Sequence, residues 1–474
     1  MQRKQTVIQN IRWLAAANIA VKPLWFLFLL VSTRLLGPTE FGRFMFAISY
    51  VSVIAVIFEG GIDMFSVRQL SSGAEDFPTF FSHSSFLKVI SCILVAAVAI
   101  GASFFVDTSA TTTGLIVAAI IFSTFNTLMV HFRFVLRSFE VMKYEAQSIF
   151  LEKILVMVLC AIALSNSRTA WSIAQGYALA YTVAAAATLI LVARQAGMPR
   201  WKIEWRYLFN KIIKPALPFA LMSFFMIVYF RAGTLMIGFL TGRQDLVGYY
   251  NAGYRLVESY MLFPSLVLAP LYPVFARNLE DRVWIRSLLL KASRIVLAVS
   301  VIIAVPMFLF RREFTLLFYG TPFEAAAPAV GIVVLSMIPV GMTWVFGTLV
   351  AASGRQGRAN VLILLITIVN ILLNYFLIPV YLEIGAAITT LVTEAAMAVV
   401  SIWMVRDFIE KRSFFVITAK AFLIALLIFA LHEFSLLPGP FWLQLAICLC
   451  VMSAALVALR LVSLADLKKF GFGE

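Results

Sequence analysis

Charge is what this sequence has least of. Only 13% of its 474 residues are Asp, Glu, Lys or Arg, against 62% hydrophobic residues and a mean hydropathy of +0.97. A soluble fold has too little interior to hide so much apolar surface, so a water-soluble enzyme or binding module is excluded and a polytopic membrane protein is indicated. Length alone would allow about three soluble domains, but no polar stretch is long enough to form one. The four cysteines, Cys92, Cys160, Cys448 and Cys450, all fall in apolar spans without ligand spacing and read as buried thiols. The three histidines, His83, His131 and His432, are scattered and carry no metal pattern or assigned chemistry. Phosphate-binding glycine loops, paired catalytic carboxylates and nucleophile triads are missing too, so neither ATP hydrolysis nor an enzyme's catalytic or metal site is expected. Acidic residues are outnumbered, 23 against 38 basic, giving a net charge of +15. The excess does not gather on one face, which argues against nucleic acid as a partner.

What is there is apolar sequence in lengths of about 20 residues, enough for one helical crossing each. About fourteen such spans are expected: 11 to 35, 43 to 67, 84 to 105, 113 to 136, 146 to 165, 171 to 193, 214 to 240, 246 to 274, 292 to 310, 326 to 352, 360 to 378, 384 to 405, 416 to 433 and 441 to 461. The opening Met1-Gln-Arg3-Lys4-Gln is basic, but the span after it is too long for a signal-peptide core, so a retained first helix is expected. Basic residues collect in alternate loops. One side receives Arg3, Lys4 and Arg12, then Arg68 and Lys88, then Arg133, Arg137 and Lys143, and then the segment from Arg194 to Lys214. It also receives Arg277 to Arg294, Arg355 and Arg358, Arg406 to Arg412, and Arg460 to Lys469. The other side has little beyond Arg34, Arg43, Arg168, Arg243, Arg311 and Arg312. The positive-inside rule therefore puts both termini in the cytoplasm.

The basic segment around 194 to 214 divides the chain, and the halves echo each other. Leu36-Gly37-Pro38-Thr39-Glu40-Phe41-Gly42-Arg43 after the first span matches Thr241-Gly242-Arg243-Gln244-Asp245-Leu246-Val247-Gly248 after the seventh, with one inserted residue. Arg137-Ser-Phe-Glu140 likewise echoes Ala352-Ser-Gly-Arg355. The echoes indicate a parallel repeat of six spans. The expected organisation is an N-lobe over 1–200 with helices 1–6, a C-lobe over 201–410 with helices 7–12, and helices 13–14 with a cytoplasmic tail over 411–474.

The stretch Arg34-Leu-Leu-Gly-Pro-Thr-Glu-Phe-Gly42, with Phe58-Glu59-Gly60-Gly61 and Val67-Arg68-Gln69-Leu70 after it, resembles the opening of Wzx-type polysaccharide flippases. Leu317-Phe-Tyr-Gly320-Thr-Pro-Phe-Glu324-Ala-Ala-Ala-Pro328 resembles their join between spans 9 and 10. These are members of the multidrug/oligosaccharidyl-lipid/polysaccharide exporter (MOP) superfamily. The resemblance implies an all-α polytopic membrane protein of about fourteen transmembrane helices, with two pseudo-symmetric six-helix lobes of MATE-like fold plus two C-terminal helices. Spans 1, 2, 7 and 8 would line a central cavity. The implied activity is alternating-access transport of an undecaprenyl-pyrophosphate-linked oligosaccharide from the cytoplasmic to the outer leaflet of a bacterial inner membrane, for O-antigen, exopolysaccharide or capsule synthesis. Polysaccharide polymerase and glycosyltransferases would be neighbours, and no cofactor is implied beyond coupling to H+, Na+ or the membrane potential. Asp63 departs from the family, where a small or neutral residue is usual.

Charges inside spans are the candidate site, because each costs about 3 kcal/mol at membrane depth and normally faces a bundle interior or wet cavity. Lys22 in span 1 and Arg231 in span 7 lie at similar depth in repeat-related helices, suited to a pyrophosphate. Arg255 and Glu258 share a helix face, either neutralising each other or with Glu258 positioning Arg255 against substrate. Tyr254, among Tyr229, Phe230, Tyr249 and Tyr250, is placed to stack on sugar, with helix packing the competing reading. Glu59, Asp63 and Glu394 are candidates for a coupling ion or for charge pairs, with Lys22 or Arg68 the expected partners of the first two. Pro23, Pro264, Pro270, Pro306 and Pro339 read either as hinges or as static kinks. Two other functions stay open: a cation-coupled multidrug exporter of the same superfamily, which the basic, acid-free first span opposes, and a membrane-embedded polymerase or glycosyltransferase, which the short loops oppose.

Overall fold

A computed structural model describes residues 7–59, 61–63, 77–103, 110–138, 142–196, 198–199, 203–434, 439–459 and 461; side chains of 7–20, 22, 59, 110–112, 138 and 196 lie outside the description. Among the described residues all regular structure is helical. The helices are α1 (Val7–Glu59), α2 (Phe77–Ser103), α3 (Ala110–Ser138), α4 (Met142–Asn166), α5 (Ala170–Ala196), α6 (Lys214–Thr241), α7 (Gln244–Tyr260), α8 (Leu262–Leu268), α9 (Leu271–Arg277), α10 (Arg282–Leu309), α11 (Arg311–Tyr319), α12 (Ala327–Leu335), α13 (Met337–Ala352), α14 (Gln356–Met404), α15 (Lys411–Glu433) and α16 (Phe441–Ala458).

Two of these are too long for one crossing. At 1.5 Å per residue the 53 residues of α1 and the 49 of α14 would run roughly 80 and 74 Å, against a hydrocarbon core of about 30 Å. Each is broken by one residue at positive φ: Gly37 at +73° in α1, followed by Pro38, and Leu382 at +54° in α14, just after Pro379. Among the described residues eleven helices are long and apolar enough to cross a membrane, or twelve with the pair over 244–277, which bends by 45° where Pro270 stands. Splitting α1 and α14 at their breaks gives fourteen crossings, in agreement with the count read from hydropathy.

The chain forms two compact units, Met1–Gly248 and Tyr249–Glu474. In the first, α5 packs along both α3 and α4, and Gly176 lets α5 approach α4 so closely that a Cβ there would lie 2.9 Å from the Cα of Cys160. Small residues set such approaches in lipid, where packing replaces the hydrophobic drive. In the second, Phe275, Ile285, Val296, Val345, Phe346 and Leu349 are fully buried, and Ile424 and Ile428 of α15 with Cys448 and Met452 of α16 belong to the same core. The last two helices are thus packed parts of the second unit. Their outer faces present Phe415, Phe422 and Trp442, as lipid contact requires.

Two expectations are corrected. Lys88 and Arg133, counted as loop charges, lie inside α2 and α3, and Lys88 is only 1% exposed. Cys450, read as buried, is exposed, because α16 turns only one face to the core. Asp63 pairs with Lys88 and His131; Arg68 and the side chain of Lys22, the partners expected for it, lie outside the described residues.

Candidate functional site

Glu152 is the eleventh residue of α4, roughly 15 Å along the axis from its start. Its side chain is 4% exposed and takes bonds from three directions: the Arg133 guanidinium at 2.7 Å, Lys153 Nζ at 2.6 Å and the Tyr181 hydroxyl at 2.8 Å. Arg133 is held by its neighbours as well. Its Nε donates to Ser148 Oγ and its terminal nitrogen to Ser148 O, both at 2.9 Å, and Ser148 Oγ bonds Thr188 Oγ1 at 2.8 Å. Lys153 Nζ lies 4.2 Å from the centre of the Trp25 ring, a distance at which the ring quadrupole attracts the cation. Trp25 meets Tyr177, which stacks on Tyr181. Three helices and the first arm of α1 thus converge on one carboxylate. Two cations share it, so among the described residues the network carries one positive charge in excess, with Lys153 its more exposed end at 24%.

A second network in the same unit centres on Asp63. Lys88 Nζ lies 2.8 Å from Oδ2 and His131 Nδ1 3.2 Å from Oδ1, while His131 Nε2 meets Ser85 Oγ at 3.3 Å. Its two basic partners are each 1% exposed. His83 ties a different segment: its Nε2 accepts from the Glu204 N–H at 2.9 Å, which leaves the ring proton on Nδ1 for the Thr79 carbonyl at 2.7 Å.

The repeat-related turns meet through glycine. Gly37 and Gly242 both adopt positive φ, at +73° and +68°, so the sequence echo is a conformational one. A Cβ on Gly42 would sit 1.7 Å from Gln244 O, and one on Gly248 would sit 2.0 Å from Pro38 O. Below them the second arm of α1 and α6 run antiparallel. Gly238 packs on the Phe46 ring, and a Cβ on Gly61 would lie 2.5 Å from Ala220 N. The result is a seam closed backbone against backbone at both ends.

In the second unit Arg255 and Glu258 pair at 2.7 Å, Tyr254 stacks on Tyr250 at 5.8 Å, and the Tyr250 hydroxyl bonds Thr390 at 2.9 Å. Asn370 donates to Thr393, and Asn374 to Asn370, each at 3.0 Å. Glu394, the next residue, is buried at 6% exposure. Arg231 is half-buried in α6, while the side chains of Lys22 and Glu59 lie outside the described residues. Sequence reasoning passed over Arg133, Glu152, Lys153 and His131 as site residues. The legible signal was Glu152-Lys153 inside an apolar span. Among the described residues no group of three metal-ligating side chains occurs.

Fourteen crossings, a repeated turn geometry and buried charge at membrane depth among the described residues define an all-helical polytopic membrane protein. The chain belongs to the polysaccharide biosynthesis protein family, whose model matches residues 7–279. It is similar in structure to the lipid II flippase MurJ in an inward closed conformation, with a TM-score of 0.75 at 13% identity over 96% of this chain and 99% of that one. An inward-facing multidrug resistance MATE family transporter of the MOP superfamily gives a TM-score of 0.63 at 14% identity, over 83% and 98% of the two chains. An uncharacterised membrane protein of Methanocaldococcus jannaschii is 21% identical over 444 residues, covering 87% of this chain and 86% of its own.

Proposed function

We propose that this protein is a secondary transporter, with no catalytic step, that moves an oligosaccharide linked through pyrophosphate to undecaprenol from the cytoplasmic to the outer leaflet of a bacterial inner membrane. The observation that carries the reading is the cation-rich network of Arg133, Glu152 and Lys153. One uncompensated positive charge at membrane depth is costly, and an anionic headgroup would offset that cost. Family membership and the flippase-like fold point the same way. Arg133 is engaged by both Ser148 and Glu152, whereas Lys153, bonded to Glu152 and with Trp25 beneath it, is the more exposed cation, and its ammonium has further protons to offer a phosphate edge. Lys22 and Arg231 remain candidate headgroup contacts in the first unit, and Arg255 with Tyr254 in the second. Glu59, Asp63 and Glu394 remain candidates for coupling to protons, sodium or the membrane potential. Both termini are assigned to the cytoplasm, the lobes to 1–200 and 201–410, and the enzymes that build and polymerise the glycan are proposed as neighbours.

The test is the outer-leaflet population of lipid-linked glycan in cells lacking the protein. Wild type restores outer-leaflet labelling, and Lys153→Gln, at equal membrane abundance, restores it about 10- to 100-fold less, as loss of a charge-assisted bond implies. Unchanged labelling in the deletion strain, with no paralogue present, overturns the reading.

A further inference from the structure

The second unit holds a basic cavity apart from the charge networks described above. It lies where the middle of α10 meets the start of α15 and the end of α16, has a volume of about 320 Å³, and is lined by Arg294, Arg412, Lys420, Ser413 and Glu410 on its polar side. Val416, Ile417 and Leu461 form the apolar remainder. We propose that this cavity binds the headgroup of an anionic phospholipid, making helices α15 and α16 a lipid-anchoring element of the second unit.

Charge is the first argument. Among the described residues three cations line the cavity against one carboxylate, an excess of two positive charges. The second is the state of the donors. Lys420 Nζ donates to the Leu459 carbonyl at the end of α16, at 2.8 Å, and an ammonium has two further protons to give. Arg294 Nε is buried with no hydrogen-bond partner among the described residues, a donor in want of an acceptor, and guanidinium suits phosphate oxygens. The third is the helix end. The cavity borders the first turn of α15, a 23-residue helix whose N-cap Glu410 makes no side-chain cap bond, so its amide dipoles also favour an anion. The fourth selects a lipid over a soluble phosphate. Past Val416 and Lys420 the same face of α15 continues, at helical spacing, into outward-facing Leu423 and Leu427, exposed by 56% and 46%, a surface for acyl chains beside a phosphate-sized basic cavity. Basic pockets between transmembrane helices recognise anionic headgroups in this way. The inference does not depend on the identity of the transported glycan.

The experiment is native mass spectrometry of the purified full-length chain, titrated with phosphatidylglycerol or with phosphatidylcholine. Wild type is expected to retain phosphatidylglycerol preferentially. The double variant Arg294→Gln/Arg412→Gln, which leaves the Lys420–Leu459 bond in place, is expected to bind it about 30-fold more weakly, from roughly 1 kcal/mol for each of two charges. Glu410→Gln removes the one acid without touching a cap bond and is expected to bind about fivefold more tightly, a gain that misfolding cannot mimic. Equal retention of both lipids, or unaltered phosphatidylglycerol binding in the double and in Glu410→Gln, overturns the proposal. Displacement of phosphatidylglycerol by millimolar inorganic phosphate that itself stays bound assigns a soluble anion site and overturns it too.

Discussion

Replacing Gly42 by alanine tests the glycine seam. The new Cβ would lie 1.7 Å from Gln244 O and 2.8 Å from Gly248 N, where real Cβ contacts essentially never fall below 3.0 Å. The two turns must therefore part by more than about 1 Å. Both obstructing atoms are backbone, so no rotamer change relieves the clash, and the cost belongs at the upper end of overpacking, about 3 kcal/mol. That is roughly a 150-fold shift in population toward the parted state. Leu246, 2% exposed at the start of α7, reports the parting. In a Cys450→Ser background, which removes the exposed native thiol, Leu246→Cys is expected to react with a membrane-impermeant maleimide far faster once Gly42→Ala is added. Gly248→Ala, whose Cβ would lie 2.0 Å from Pro38 O, is expected to act alike from the other turn. Gly347→Ala is the control, since nothing lies within 4 Å of its Cβ. Wild-type labelling together with normal glycan export in Gly42→Ala would refute the role of the seam in closure.

Two further predictions concern charge. Asp63→Asn removes the carboxylate that Lys88, at 1% exposure, shares with His131 and is expected to cost about 1–3 kcal/mol; with Lys88→Met as the second substitution, a double-mutant cycle of thermal stability in detergent is expected to show coupling, and strictly additive effects would contradict the pairing. Outside the spans, Arg355 bonds both carboxylate oxygens of Asp407, at 2.7 and 2.6 Å, and this holds the Asp407 carboxyl below its ordinary value of 3.8. A depressed acid contributes stability above its unfolded pKa and loses it as pH falls through the folded one. Both partners are about a third exposed, so solvent screening limits the contribution to about 0.5–1 kcal/mol. Wild type and Asp407→Asn should differ in melting temperature at neutral pH and converge in strong acid; a difference that persists there would assign the effect to something other than the ion pair.

The fourteen crossings were legible because each is written locally, as about 20 apolar residues between polar turns. The repeat was legible for the same reason. Gly37 and Gly242 stand at matching places in two turns, and positive φ is a demand that a single residue meets. Partners are not local. Asp63 lies 25 residues from Lys88 and 68 from His131 in sequence, and nothing in hydropathy distinguishes a lysine at a helix end from one drawn inside by a carboxylate on another helix. Lys88 and Arg133 therefore read as topology signals until packing placed them.

The sequence by itself determined the membrane class, the crossings, the repeated turns and the family. Tertiary structure alone decided which charges meet: that Glu152 gathers Arg133, Lys153 and Tyr181, that Gly42 and Gly248 press against each other's turns, and that Arg294 shares a cavity with Arg412 and Lys420. Hydrophobicity is a property of each residue and survives in one dimension. Compensation of buried charge and close backbone approach are properties of pairs, and they exist only once helices far apart in the chain have packed together.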